Sequence, residues 1–171
     1  LALLQERGRL PSEIAAMAAA DLASALGFAH KEGVIHRDIK PENVMIRRDG
    51  RVKLMDFGVA RVLDESSITL DGSLLGSPAY MSPQQAMGER PAPTDDVYSL
   101  GATIYELLSG KPPFYRGDIP SQLTSKIPSS MVERREELEI KADDRIPKEW
   151  EAVIAACLHK DPNLRPPSAG K

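Results

Sequence analysis

Four residues in this chain have the types and spacing for chemistry. Asp38, Lys40 and Asn43 lie within the run His36, Arg37, Asp38, Ile39, Lys40, Pro41, Glu42, Asn43, and Asp56 opens Asp56, Phe57, Gly58, thirteen residues after Asn43. Two carboxylates, an amide and an ammonium group are what phosphoryl transfer asks of a protein. Mg²⁺ takes hard oxygen ligands such as those of Asp and Asn, a carboxylate orients the acceptor hydroxyl, and a cation steadies the phosphate. Taken singly, each residue has a plainer use, because Asp and Asn at strand ends serve as caps and turn formers. Only their order and separation point to chemistry.

Something must bring Asp56 to Asn43. Between them lie two short β-prone runs, Val44 to Ile46 and Arg51 to Met55, joined through Asp49 and Gly50. An Asp-Gly pair between such runs predicts a two-residue hairpin turn in which both central residues take positive φ. Counting outward from that turn, Asn43 and Asp56 are directly opposed at the open end of the ribbon, with Cβ atoms roughly 4.5 to 5.5 Å apart. Arg47, Arg48 and Arg51 cluster at the tip with Asp49 among them and read as a solvated turn.

In this order and at this separation the residues resemble the catalytic loop and metal-binding loop of the protein kinases. The resemblance implies that Asp38 accepts or orients the proton of a substrate hydroxyl, that Lys40 steadies the γ-phosphate of ATP, and that Asn43 and Asp56 hold Mg²⁺. It makes His36 and Phe57 packing residues. Arg37 resembles the arginine that pairs with a phosphorylated residue of the activation segment, here residues 59 to 81, where Thr69 and Ser73 are the first candidates and Ser66 and Ser67 the next. Lys40, two residues after Asp38, together with the stretch Gly76 to Gln84, is similar to Ser/Thr kinases rather than Tyr kinases. One departure stands out. Kinases usually close this stretch with Ala, Pro, Glu, and this chain has Ser82, Pro83, Gln84. The family's glutamate pairs with a buried arginine, which Arg165 matches; Gln84 can still hydrogen-bond to it but forfeits the charge-assisted bidentate pair. Asp96 resembles the aspartate that binds the backbone of the catalytic loop, a role compatible with an acid near a helix N-terminus.

The elements around these motifs are mostly helical. Ser12 is placed to cap a helix with the apolar stripe Ile14, Met17, Ala18, Leu22, Ala25, Leu26, Ala29, ending at Gly33. Leu1 to Arg7 reads as the end of an earlier helix. Thr94 to Ser109, stopped by Gly110, is apolar around most of its circumference and predicts a buried pillar. Ser130 and Glu133 fit a capping box before a solvated helix, Arg134 to Ile140, and Pro147 opens a last helix that packs Trp150, Val153, Ile154, Cys157 and Leu158 inward. The expected fold class is therefore mainly α: a protein-kinase-like C-terminal lobe, with one small β-hairpin beside the catalytic loop, over residues 1–171.

Composition bounds the rest. A length of 171 residues with 42% hydrophobic and 27% charged residues fits one soluble domain, and the net charge of -3 argues against nucleic acid as a partner. No run of 18 or more apolar residues marks a membrane span within the chain, and a cytoplasmic location is expected. The single Cys157 reads as a core residue. No Gly-rich phosphate-covering loop and no strand lysine is found, so the resemblance implies that the N-terminal lobe precedes residue 1 and that the isolated fragment is inactive. The expected partners are ATP and a protein substrate. The alternative is a noncatalytic kinase-like binding or scaffold module, to which Gln84 points and against which the four intact residues stand.

Overall fold

The structure, a computed structural model, describes residues 9–47, 49–57, 78–140 and 145–170. The helix expected at Leu1 to Arg7 and the expected phosphosites Ser66, Ser67, Thr69 and Ser73 lie outside the described residues. In chain order the elements are α1 (Ser12–Lys31), β1 (Val44–Ile46), β2 (Val52–Leu54), α2 (Pro83–Ala86), α3 (Pro93–Ser109), α4 (Ile119–Ser125), α5 (Met131–Glu137) and α6 (Lys148–Cys157), with short 3-10 turns at Pro41–Asn43, Pro78–Tyr80 and Pro162–Leu164. This is the mainly helical lobe with one antiparallel ribbon that the sequence led us to expect.

Helix α3 is the pillar. Pro93 takes its first position, where a missing N–H costs nothing, and Gly110 closes it at φ 89, a left-handed conformation that glycine adopts without strain. Its residues from Asp95 to Tyr105 are all buried, and two of its hydroxyls bond within the helix: Thr103 donates to Ser99 O at 2.8 Å and Ser109 to Tyr105 O at 2.7 Å. Gly101 in mid-helix has a packing reason. A Cβ built there would lie 2.7 Å from Cys157 Cβ, so α3 and α6 cross at the closest approach their backbones allow. Gly101→Ala is expected to destabilise the fold by about 1–3 kcal/mol, less the roughly 1 kcal/mol that Ala gains in helix propensity. Urea unfolding measures this, and Cys157→Ala, which keeps the offending Cβ, should give no relief. Burial pushes the Cys157 thiol up to about 11, in keeping with a core residue.

Three expectations are corrected. Pro11, not Ser12, occupies the N-cap of α1, and the buried stripe runs Ala15, Ala18, Leu22, Leu26, Ala29, leaving Met17 53% exposed and Ala25 exposed. By length and composition alone this helix could cross a membrane, but that stripe packs against α3. Met17 sits instead beside the hairpin tip, its Cε 3.7 Å from where a Cβ on Gly50 would stand. Second, α5 starts at Met131 because Ser130 is its N-cap, in the expected capping box with Glu133, and it ends at Glu137. Its arginines are not a solvated face. Arg134 and Arg135 are 7% and 6% exposed, Arg134 reaching Pro113 O and the Tyr105 hydroxyl and Arg135 donating to Leu108 O, one of the last carbonyls of α3. Third, Val153 falls at the edge of the inward stripe of α6 and is 57% exposed, whereas Ile154, Cys157 and Leu158 are buried.

Candidate active site

The hairpin register differs from the expected one. Val44 pairs with Leu54, Met45 with Lys53 and Ile46 with Val52, so the turn lies between Arg47 and Arg51. Gly50 N donates to Arg47 O at 3.0 Å and Arg47 N to Arg51 O at 2.9 Å, and of Asp49 and Gly50 only Gly50 has positive φ, at 82. Asp49 has no need of the left-handed region, because its carboxylate accepts from Arg51 N and pairs with Arg47 at 3.3 Å. A three-residue loop closed by glycine is the outcome. Met55 consequently takes the place opposite Asn43, its N–H donating to Asn43 O at 2.8 Å. Asp56 lies one residue beyond, exposed and at φ 56, rather than directly opposed to Asn43.

The other three residues do come together. Lys40 Nζ is 2.9 Å from Asp38 Oδ2, and Asn43 Nδ2 donates both to Asp38 Oδ2 at 3.1 Å and to Asp38 O at 2.7 Å. With both donors of its amide turned to Asp38, Asn43 has its Oδ1 as the remaining hard oxygen. The turn Pro41–Asn43 sets this geometry, since proline preorganises its first position and returns the chain toward Asp38. Neither Lys40 nor Asn43 uses Asp38 Oδ1, which has no hydrogen-bond partner among the described residues.

Two buried residues hold the loop from behind. Asp96, fully buried in the first turn of α3, accepts from His36 N and Arg37 N, both at 2.8 Å, and from His30 Nε2 at 2.9 Å. Arg37 sits at φ 70, a conformation costing a non-glycine residue about 1–2 kcal/mol, and the two bonds to Asp96 hold it there. His36 is also fully buried. Its Nδ1 accepts from Asp38 N at 3.3 Å, which leaves Nε2 to carry the proton and donate to Met55 O at 3.0 Å. With both nitrogens on backbone, and its ring packed edge-on to Phe57 at 4.7 Å between centroids, His36 ties the Asp38 loop to the Asp56 strand end. That is the packing role read from the sequence.

Sequence reasoning passed over four contacts around the site. His30, near the end of α1, bonds Asp96 across sixty-six residues, a separation no local pattern spans. Gln85 completes a capping box with Ser82 and donates to Arg37 O at 3.0 Å, linking α2 to the strained residue; the spacing Ser-x-x-Gln was the available signal. The Tyr80 hydroxyl donates to Glu106, and burial pushes Glu106 up while that hydrogen bond acts the other way. Asp95 accepts the Ser82 hydroxyl at 2.6 Å. No local pattern announces the last two. The lateral pair read from sequence, Gln84 and Arg165, is formed, with Arg165 Nη2 donating to Gln84 Oε1 at 2.6 Å.

This helical lobe, pillared on α3 with an Asp-Lys-Asn cluster beside a hairpin-borne Asp, belongs to the protein kinase domain family, whose model matches residues 1–169. Its relatives narrow this to bacterial Ser/Thr protein kinases. It is 39% identical over 163 residues to the serine/threonine-protein kinase PknB of Mycobacterium leprae, covering 92% of this chain and 25% of that protein. It is 42% identical over 154 residues to PknB of Mycolicibacterium smegmatis (85% and 23% covered) and 37% identical over 160 residues to PknL of Mycobacterium tuberculosis (94% and 39%). The chain thus spans well under half the length of these curated relatives.

Proposed function

We propose that residues 1–171 form the C-terminal-lobe part of a bacterial Ser/Thr protein kinase that transfers the γ-phosphate of ATP to serine and threonine hydroxyls of a protein substrate, in the cytoplasm. The observation that carries this reading is the hydrogen-bonded cluster of Asp38, Lys40 and Asn43 on a loop pinned by Asp96. Asp38 Oδ1 accepts the hydrogen bond of the substrate hydroxyl and takes its proton as the phosphoryl group moves, while Oδ2 stays anchored by Lys40 and Asn43. Lys40 Nζ has three donors, so it reaches the γ-phosphate without releasing Asp38. Arg37 is the residue to pair with an activation-segment phosphate, for which Thr69 and Ser73 are candidates.

The donor set fits Mg²⁺. Asn43 Oδ1 and the exposed Asp56 carboxylate are hard oxygens, and they would hold the ion. Among the described residues no group of three or more His, Cys, Asp or Glu makes a self-sufficient metal site, so the remaining oxygens belong to the nucleotide and water. When bound, the ion neutralises charge on the transferring phosphate. The test is transfer of labelled γ-phosphate from ATP to a Ser/Thr peptide by the intact natural protein, with and without chelator. Chelator-sensitive incorporation on Ser or Thr is the expected result. A folded, nucleotide-replete protein that transfers no phosphate to any peptide or to itself would favour the binding-module alternative.

A further inference from the structure

Arg165 is a buried cation that has lost its family partner. Its side chain is 0% exposed, and its hydrogen bonds go to neutral acceptors: His159 O at 2.7 Å, Thr94 O and Lys160 O at 3.0 Å each, and Gln84 Oε1 at 2.6 Å. A guanidinium removed from water with neutral acceptors alone remains uncompensated. Of the two carboxylates that favour its charge, Asp95 acts more strongly than Asp161; its Oδ1 lies 3.9 Å from Arg165 Nη1 and its side chain is 2% exposed.

We propose that Asp95 is the positioning residue that replaces the family's loop-closing glutamate: it supplies the charge for Arg165 and ties the Ser82–Ala86 stretch to α3. One carboxylate joins three pieces of chain. Asp95 Oδ1 accepts the Ser82 hydroxyl at 2.6 Å, Oδ2 accepts Ala92 N at 2.8 Å, and Arg165 flanks the same Oδ1. Ser82 Oγ in turn accepts Gln85 N at 3.0 Å, so the charge is linked directly to the cap of α2.

Gln84 is matched to this arrangement. Its Oε1 accepts from Arg165 and its Nε2 donates to Lys160 O at 3.1 Å, a bond that a carboxylate cannot make. A glutamate at 84 would set an oxygen against that carbonyl and add a second negative charge near Asp95. The departures at 82 and 84 therefore fit the acid at 95 as one exchange: the negative charge sits on the pillar rather than the loop, Ser82 has a hydroxyl to reach it, and the loop residue is an amide. Calling the loop a substrate platform rests on the proposed function; the exchange of charge does not.

The test is hydrogen exchange in the intact natural protein, read at the amides of Ala86 and Met87, which donate to Ser82 O and Pro83 O. Asp95→Asn is expected to speed their exchange by about tenfold or more, and adding Gln84→Glu should restore protection to within about threefold, by returning a carboxylate to Arg165. A lost helix cap at Ala92 cannot be repaired from position 84, so this rescue separates positioning from capping. Gln84→Glu alone should leave exchange unchanged or faster. The proposal is overturned if Gln84→Glu alone slows exchange, or if it acts equally in both backgrounds. Should Asp95→Asn fail to fold, recovery of folding by Gln84→Glu supports the exchange and failure to recover overturns it. Since exchange is read without turnover, these outcomes are independent of whether the protein proves to be an active kinase.

Discussion

Asp38→Asn is expected to lower kcat of the intact natural protein by about 10²- to 10⁴-fold while leaving the peptide KM nearly unchanged. The substitution preserves shape and removes both the proton acceptor and the charge. It also reverses hydrogen-bond polarity where the structure is least tolerant. Asp38 Oδ2 is approached by two donors, Lys40 Nζ and Asn43 Nδ2, and an amide there must either present its oxygen to both or set N–H against N–H. With the oxygen so committed, the amide nitrogen is left toward the substrate hydroxyl and donates where the reaction needs an acceptor. The Asp38 side chain is 37% exposed, so stability should change little, and an unchanged melting transition is the control. Activity within about threefold of the parent would remove Asp38 from the chemistry.

Asp96→Ala should cost about 3–5 kcal/mol of stability, the largest single loss we expect in the lobe outside the apolar core. The carboxylate is fully buried and serves three donors, His36 N, Arg37 N and His30 Nε2. Truncation leaves two backbone N–H groups and a 4% exposed imidazole without their acceptor, and it releases Arg37 from its φ of 70. Asp96→Asn should fall between Ala and the parent, because its one carbonyl oxygen can keep two donors at most while its NH₂ faces the third. Urea midpoints order the three proteins, and exchange at the His36 and Arg37 amides localises the effect. A loss below about 1 kcal/mol for Asp96→Ala would mean that water replaces the carboxylate and that the loop is held by other means.

The cluster of Asp38, Lys40 and Asn43 was legible because it is local. Six residues of loop fix it, and the proline turn that folds Asn43 back is written in the same stretch. The delivery of Asp56 was legible as a hairpin but not in register. A two-residue Asp-Gly turn would need positive φ at Asp49, and Asp49 instead keeps negative φ and bonds to Arg47 and Arg51, with the strand register shifted accordingly. Contacts across long separations left no pattern at all. Asp96 finds His36 sixty residues back, and Arg135 finds the end of α3 twenty-seven residues away. Mixed charge on α5 therefore looked like a solvated face, when the carbonyls left over at a helix terminus were what its guanidinium groups were answering. The largely buried pillar α3 was read correctly because apolar residues around most of a helix are visible in composition alone.

Asp56 stands in the left-handed region at φ 56, a conformation that asparagine among the non-glycine residues adopts most readily. One base change converts either aspartate codon to asparagine. At this position such a change removes the negative charge while the backbone, the hairpin and the His36–Phe57 packing keep their places. On the proposed function, in which Asp56 helps to hold Mg²⁺, the route from an active kinase to a folded form that transfers no phosphate is thus a single nucleotide long. It runs through a residue whose own conformation raises no barrier to the exchange.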